Sequence, residues 1–325
     1  MRAWRVNRHG EPKEVLTLSD TVLEPLGAGE LLIKVSASGL ALPDALLCRG
    51  TYPLTPPVSF TPGLEFVGTV VGKGPATTTP VGSRVMGVAD FVRGTGSFAD
   101  ICKAVETATY PAERNLPDAD AAAFTIAYHT AYCALVRRAS IQSGQSMLVH
   151  GAAGGTGFAA IQLGKALGMK VFSTAGGEEK NALCRDLGVD RAIDHTREDW
   201  VSIVNAETRG RGVDIVFDPV GGEMFEQSIN CMAPEAKLLP IGFACGRWGS
   251  VSMETVVLKS ISIIGALGGG YPREFMLEMH AYLMELYQQG QIRVAIDHEI
   301  DFDRIPEGVQ WIADRKVRGR VVAIH

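Results

Sequence analysis

The sequence has few cysteines and no pair of them spaced to clasp a metal. Six are scattered through 325 residues, at Cys48, Cys102, Cys133, Cys184, Cys231 and Cys245. With no CxxC among them, neither a disulfide framework nor a structural zinc lobe is expected, and the thiols read as buried core residues. No stretch reaches the roughly 18 uninterrupted apolar residues of a membrane span. The N-terminal MRAWRVNRHG also lacks the apolar core of a secretion signal. These absences predict a cytoplasmic protein without membrane contact. A net charge of −5, with no interleaving of aromatic and basic side chains, argues against nucleic acid as a partner. Arg304, Arg315, Lys316, Arg318 and Arg320 do gather near the C-terminus, where they read as a solvated face or a cofactor contact. Internal repeats and low-complexity segments are lacking too.

What the chain has in quantity is glycine, 37 residues of it, unevenly spread. The style of the sequence changes near residue 120. Before that point, short strands such as ELLIKVSAS and FVGTVVG are cut by turns at Pro53, Pro56, Pro57, Pro62, Gly63 and Pro75, as in an irregular β-domain. After it, strands and helices alternate. SMLVHG leads into a helix ending at Gly168, KVFSTA into a helix over Glu178 to Leu187, and RAIDH into one over Asp199 to Thr208. VDIVFDPV leads into a helix over Glu223 to Cys231, and KLLPIGF follows. Such alternation predicts an α/β fold with a doubly wound parallel sheet. A further strand, SISIIGA from Ser260, precedes a long amphipathic helix over Arg273 to Gln289, and the chain closes as strand, short helix and strand.

The densest glycine stretch is VHGAAGGTGFAAIQLGKALG, with six glycines in the twenty residues from Val149 to Gly168. An apolar strand runs into a bare turn that opens a helix. Side chains this small let a pyrophosphate lie against backbone N–H groups at a helix N-terminus. Ala153, Gly154, Gly155, Thr156 and Gly157 are therefore candidate cofactor contacts. The pattern departs from GxGxxG in having Ala152 first, and close packing of helix on sheet would also call for glycine. The context favours the dinucleotide, because a second strand follows about twenty residues on.

That second strand ends Ser173-Thr174-Ala175, without the acid that NAD sites place there for the ribose hydroxyls. Lys180 follows one turn later, and His195 ends the next strand, near where a 2′-phosphate would sit. Glu178 and Glu179 point the other way, although acids at a helix start are also expected from the dipole. The balance favours NADPH, with Thr174, Lys180 and His195 at its adenosine end.

Taken together, HGEPKEVL, GAGELLIKVSASGL, RGTYP, TPGLEFVG, GSRV, VHGAAGGTG, TAGGEEK, DPVGGEMF and GRVVAIH, in this order, resemble the zinc-independent quinone oxidoreductases of the medium-chain dehydrogenase/reductase superfamily. The similarity spans nearly the whole chain. It implies a GroES-like β-rich catalytic domain from residues 1–122 and 268–325 around a Rossmann NADPH-binding domain at 123–267, with the cofactor in the interdomain cleft. It also implies a homodimer or tetramer, often joined through the last sheet strand, here Ser260 to Gly265. Thr130, at the hinge helix, matches the relatives' Thr-Ala pair that lines the nicotinamide pocket, and the loops resembling those that touch nicotinamide carry Val220, Gly242, Phe243 and Leu267.

The positions that hold catalytic zinc in related alcohol dehydrogenases read Ala41 and Leu64 here, which implies no metal. Without a Lewis acid, acceptors that delocalise negative charge are favoured, namely a quinone or an activated alkene. Where relatives carry Asn-Pro this chain has Ala41-Leu42, with Asp44 retained. Tyr52 matches a tyrosine of the relatives and reads either as a proton donor to the acceptor or as an aromatic packed in a turn. His129 stands where relatives carry a small residue and is left out of the mechanism. Three functions stay open: a quinone reductase, a 2-enoyl or alkenal reductase, and a non-catalytic NADPH-binding protein.

Overall fold

The computed structural model describes residues 1–325. Strands β1 (Arg2–Val6), β2 (Leu16–Asp20), β3 (Glu30–Leu40), β4 (Glu65–Lys73), β5 (Arg84–Ala89) and β6 (Ile101–Pro111) come first. Next are β7 (Ser146–Val149), β8 (Lys170–Ala175), β9 (Arg191–Asp194), β10 (Val213–Asp218), β11 (Met232–Pro240) and β12 (Ser262–Ile263), and last β13 (Ile296–Asp301) and β14 (Arg320–Ile324). The chain divides into two compact units, Met1–Ile126 with Val294–His325, and Ala127–Arg293. No helix is long and apolar enough to cross a membrane.

In the first unit the strand order is β13-β14-β3-β4-β5-β6, and β3 also pairs with β6, so four strands close on themselves. Alternate residues of these strands point inward: Leu31, Ile33 and Val35 meet Phe66, Val70, Val85 and Cys102 in a closed apolar core. A second core gathers Leu40, Leu47, Phe60, Phe98, Ile305 and Val321. The two chain ends are bound here by a buried ion pair, in which the Arg320 guanidinium donates to the Glu65 carboxylate. Glu65 also accepts the Ile126 N–H at 2.6 Å. Arg320 is thus an internal structural cation, not part of the solvated face or cofactor contact that its basic neighbours suggested. Those neighbours do lie at the surface, with Arg304 on Glu307, Lys316 on Asp314 and Arg318 on Asp297.

The second unit is a six-stranded sheet of order β12-β11-β10-β7-β8-β9, parallel throughout. Its central strands are apolar on both faces, as a sheet covered by helices on each side requires. The strand order reverses between β7 and β10, which is the doubly wound Rossmann arrangement with its ligand crevice at the carboxyl ends of the strands. One face of the core joins Leu148, Phe172, Trp200, Val216, Phe225 and Leu238.

Several expectations change. The helix Arg273–Gln288, expected with the first unit, belongs to the second. Its inner face meets the chain around Thr130, with His280 Nδ1 3.1 Å from His129 Nε2 and Met279 Sδ 3.7 Å from Cys133 Sγ. The strand expected from Ser260 to Gly265 shrinks to Ser262–Ile263, because only these residues pair with β11. Ser260, at φ 50°, instead ends a helix, Met253–Lys259, that the sequence reading missed. That helix buries none of its residues, and Met253, Val257 and Leu258 are 69 %, 73 % and 77 % exposed. Five of the six cysteines are buried, but Cys245 is exposed.

Candidate functional site

The glycine turn explains itself through distances. Strand β7 ends at Val149, and the helix Gly155–Ala166 begins from Gly154 as N-cap. A Cβ on Gly157 would fall 2.5 Å from the Gly151 carbonyl oxygen and 2.8 Å from Ala152 Cα, so this glycine is demanded by packing. Gly151 itself has φ +54° and lies under Val220, whose Cγ2 would be 3.2 Å from an added Cβ. Gly154 is different: its added Cβ would meet only the Gly151 oxygen, at 3.3 Å. No side chain caps this helix and no acid stands in its first turn. The N-terminal end of a twelve-residue helix thus keeps its partial positive charge and backbone donors for an outside anion. Of the predicted residues, Gly154 is exposed and Gly155 and Thr156 are half-buried at this helix end, with room for a pyrophosphate, whereas Ala153 and Gly157 are buried beneath it.

The end of β8 is more elaborate than the sequence suggested. Thr174 is wholly buried: its Oγ1 lies 2.7 Å from His150 Nδ1 and its carbonyl accepts the Ala152 N–H at 3.1 Å. His150 Nε2 lies 2.8 Å from Ser228 Oγ, which itself donates to the Met224 carbonyl at 2.6 Å. Ser228 must therefore accept from Nε2–H, and Nδ1 accepts the Thr174 hydroxyl. Burial, helped by the charge of His195, lowers the His150 pKa to about 3, so the ring is neutral near neutral pH. Sequence reasoning missed His150, although a polar residue closing the apolar run SMLV was the available signal.

Beyond Thr174, Asn181 Nδ2 donates to the Ala175 and Gly177 carbonyls at 3.1 and 2.9 Å. The Gly177 N–H donates to Asp194 Oδ1 at 3.1 Å. An added Cβ on Gly176 would lie 3.5 Å from His195 Nε2, which places that exposed imidazole beside the turn. Lys180 stands half-buried in the first turn of the helix Glu178–Asp186. Glu178 is drawn along its own helix to Arg185. The absence of an acid near Ala175 holds only within its own strand, because the register sets Asp194 opposite Ala175. That carboxylate is occupied, accepting from Thr196 Oγ1 at 2.6 Å and from two backbone N–H groups. The Thr196 hydroxyl leads the interactions that hold its pKa at about 2.

At the ends of β10 and β11, Gly221 and Gly222 adopt φ +76° and +55°, and a Cβ on Gly242 would be 3.0 Å from the Pro219 oxygen. Val220 thereby lies beside Gly151 and Gly242 and Phe243 beside Gly221, with the Phe243 ring tilted 39° to that of the half-exposed Trp248 at 4.8 Å. Farther along, a Cβ on Gly268 would lie 2.6 Å from Thr130 Oγ1, so Thr130 and the 267–268 loop are in contact. Leu267 is 73 % exposed, so its side chain lies open to solvent beside that contact. His129 is buried against His280, consistent with its omission from the chemistry.

Tyr52 belongs to the first unit. Its ring is half-buried, 6.3 Å from Phe91, and burial with the nearby Asp44 charge raises its pKa. Asp44 is fully buried and accepts the Ala41 and Gly63 N–H groups at 2.8 and 3.1 Å. Burial pushes its pKa to about 7. Leu64 is buried beside them, and no group of three or more His, Cys, Asp or Glu side chains is arranged to hold a metal ion.

Two family models match this architecture: Alcohol dehydrogenase GroES-like domain over residues 27–116 and Zinc-binding dehydrogenase over residues 155–298. The Quinone oxidoreductase-like protein 2 homolog of Nematostella vectensis is 32 % identical over 327 residues, covering 99 % of this chain and 88 % of that protein. The chain belongs to the quinone oxidoreductase family. Quinone oxidoreductase-like protein 2 of Rattus norvegicus is likewise 32 % identical, covering 96 % of this chain and 89 % of its own. Among solved structures, a mycobacterial protein complexed with NADPH superposes with a TM-score of 0.92 at 28 % identity, over all of both chains. As a quinone oxidoreductase family member, the chain is an oxidoreductase with a GroES-like first unit and a Rossmann second unit.

The two kinds of glycine in the turn should separate by experiment. Gly157→Ala forces backbone apart and should cost about 1–3 kcal/mol of stability in urea denaturation without cofactor. Gly154→Ala should cost well under about 1 kcal/mol, since its Cβ meets a single atom at the edge of contact distance. Equal losses would show that the near-contact at Gly157 is not the constraint.

Proposed function

We propose that the protein is an NADPH-dependent, zinc-independent reductase of quinones. The observation that carries the cofactor assignment is the uncapped, acid-free helix N-terminus at Gly154–Gly157, together with a neighbouring strand end where His195 stands beside Gly176 and Lys180 opens the next helix. When bound, NADPH supplies a hydride from its nicotinamide ring. The chain's part is to hold the pyrophosphate on the backbone N–H groups of the first turn and the 2′-phosphate on Lys180 and His195. On this reading Thr130, Val220, Gly242, Phe243 and Leu267 line the nicotinamide end.

The zinc-independent reading rests on Ala41 and Leu64, whose side chains have no metal-binding atom. A quinone spreads the incoming charge over ring and oxygens, so neither a Lewis acid nor a strong proton donor is needed. A second reading, reduction of a 2-enoyl or alkenal double bond, is favoured by Tyr52, a half-buried phenol that keeps its proton at neutral pH and so has one to give to the carbanion. We further propose a homodimer joined at β12, on the strength of the apolar residues that Met253–Lys259 leaves exposed beside that edge.

Four measurements test these readings. NADPH oxidation should proceed with quinones faster than with enals, enones or enoyl thioesters, and should persist in a strong chelator. Metal analysis giving about one zinc per chain, with activity lost on chelation, would overturn zinc independence. Light scattering should report twice the chain mass, and a monomer at micromolar concentration would exclude the dimer. Lys180→Ala should weaken NADPH binding by roughly one to two powers of ten, the loss of a charge-assisted hydrogen bond, and barely affect NADH. Equal weakening of both would mean that Lys180 serves the fold or the shared pyrophosphate.

A further inference from the structure

On the reading that the loops after β10 and β11 face the nicotinamide, we infer that Asp218 is a positioning residue whose carboxylate and main-chain carbonyl together hold both loops in the cofactor-binding shape. Asp218 ends β10 and is wholly buried. Its Oδ1 accepts from the Val220 N–H at 2.8 Å and the Gly221 N–H at 3.1 Å, and Oδ2 accepts the same Gly221 N–H at 3.1 Å. Its own carbonyl accepts from Ile241 N at 2.8 Å and Gly242 N at 3.3 Å, where β11 opens into the second loop.

The loops also constrain each other. A Cβ on Gly221 would lie 2.6 Å from the Arg247 carbonyl and 3.2 Å from Phe243 Cα, so neither can shift while the other stays. One residue therefore governs the turn that carries Val220 and the turn that carries Gly242 and Phe243.

The carboxylate does this work without a cation. The ionisable groups on the elements around it are His150 after β7, Glu223 and Glu226 on the helix Gly222–Ser228, and Cys245 and Arg247 in the second loop. His150 is neutral, Arg247 is paired with Glu226 at 2.8 Å, and none of them is among the causes of the Asp218 shift. Burial raises its pKa to about 6, and the Gly221 and Val220 amides pull it partly back. Protonation would set an O–H against N–H donors already aimed at the oxygens, and the first loop would lose its anchor. Since the loops need the ionised form, affinity is full above that pKa and falls as the pH drops through it.

The test compares wild type with Asp218→Asn, a neutral side chain of the same size, by fluorescence titration with NADPH and NADH. At about pH 8 the variant should bind both cofactors about tenfold more weakly, and the gap should close to less than about twofold near pH 5. NADH lacks the 2′-phosphate, so titration of that phosphate or of His195 cannot produce its pH profile. A gap that is absent at high pH, or constant with pH, overturns the inference. Wild type that binds neither cofactor at high pH overturns the cofactor reading of the loops instead. Should the variant fail to fold, the wild-type NADH profile decides: a fall through about pH 6 supports the inference, and a flat profile overturns it.

Discussion

A Cβ on Gly157 would sit 2.5 Å from the Gly151 carbonyl oxygen, and that closeness fixes how β7 hands the chain to its helix. Main chain approaches main chain here at a distance only hydrogen permits. The same constraint recurs where Gly242 lies over the Pro219 carbonyl and where Gly221 lies over that of Arg247. Because these contacts are between backbone atoms, the carboxyl edge of the parallel sheet presents peptide groups instead of side chains. A surface of N–H donors follows, and with it the preference for an anionic ligand.

Beneath that edge lies a layer of polar groups that have surrendered their charge or spent their hydrogen bonds. His150 is neutral and joins Thr174 to Ser228, while Asp194 and Asn181 brace the Gly176–Gly177 turn from opposite sides. Each of these side chains acts by fixing a neighbouring loop. In a poorly solvated interior such bonds are strong when complete and costly when one partner is missing. The shape of the turns therefore depends on residues that present little of themselves to a ligand.

Much of this was legible in the sequence because it is local. The strand Lys170–Ala175 and the helix starting at Glu178 lie where hydrophobic periodicity predicts them, and the glycine spacing marks the turn that opens Gly155–Ala166. What escaped depends on register or on partners far along the chain. Asp194 comes beside Ala175 only through the pairing of β8 with β9, and His150 finds Thr174 and Ser228 at separations of 24 and 78 residues. The helix Met253–Lys259 escaped because its apolar residues face outward, the reverse of the pattern that signals a buried face. Leu267 shows a different limit, since resemblance can mark a position without saying whether side chain or backbone is offered.

The pairing of Arg320 with Glu65, across 255 residues, bears on how the protein is made. Strand β14 sits between β13 and β3, so the first unit's sheet stays unfinished until the stretch that follows the whole second unit has left the ribosome. Until then Glu65 has no cation to justify its burial, and the edge of β3 that β14 will cover lies open. The second unit carries no such debt, because all six of its strands fall within one continuous stretch. Order of synthesis and order of completion therefore run in opposite directions: the part begun first is the part finished last, and the newborn chain must shelter the uncovered flank of its first sheet while the second unit forms.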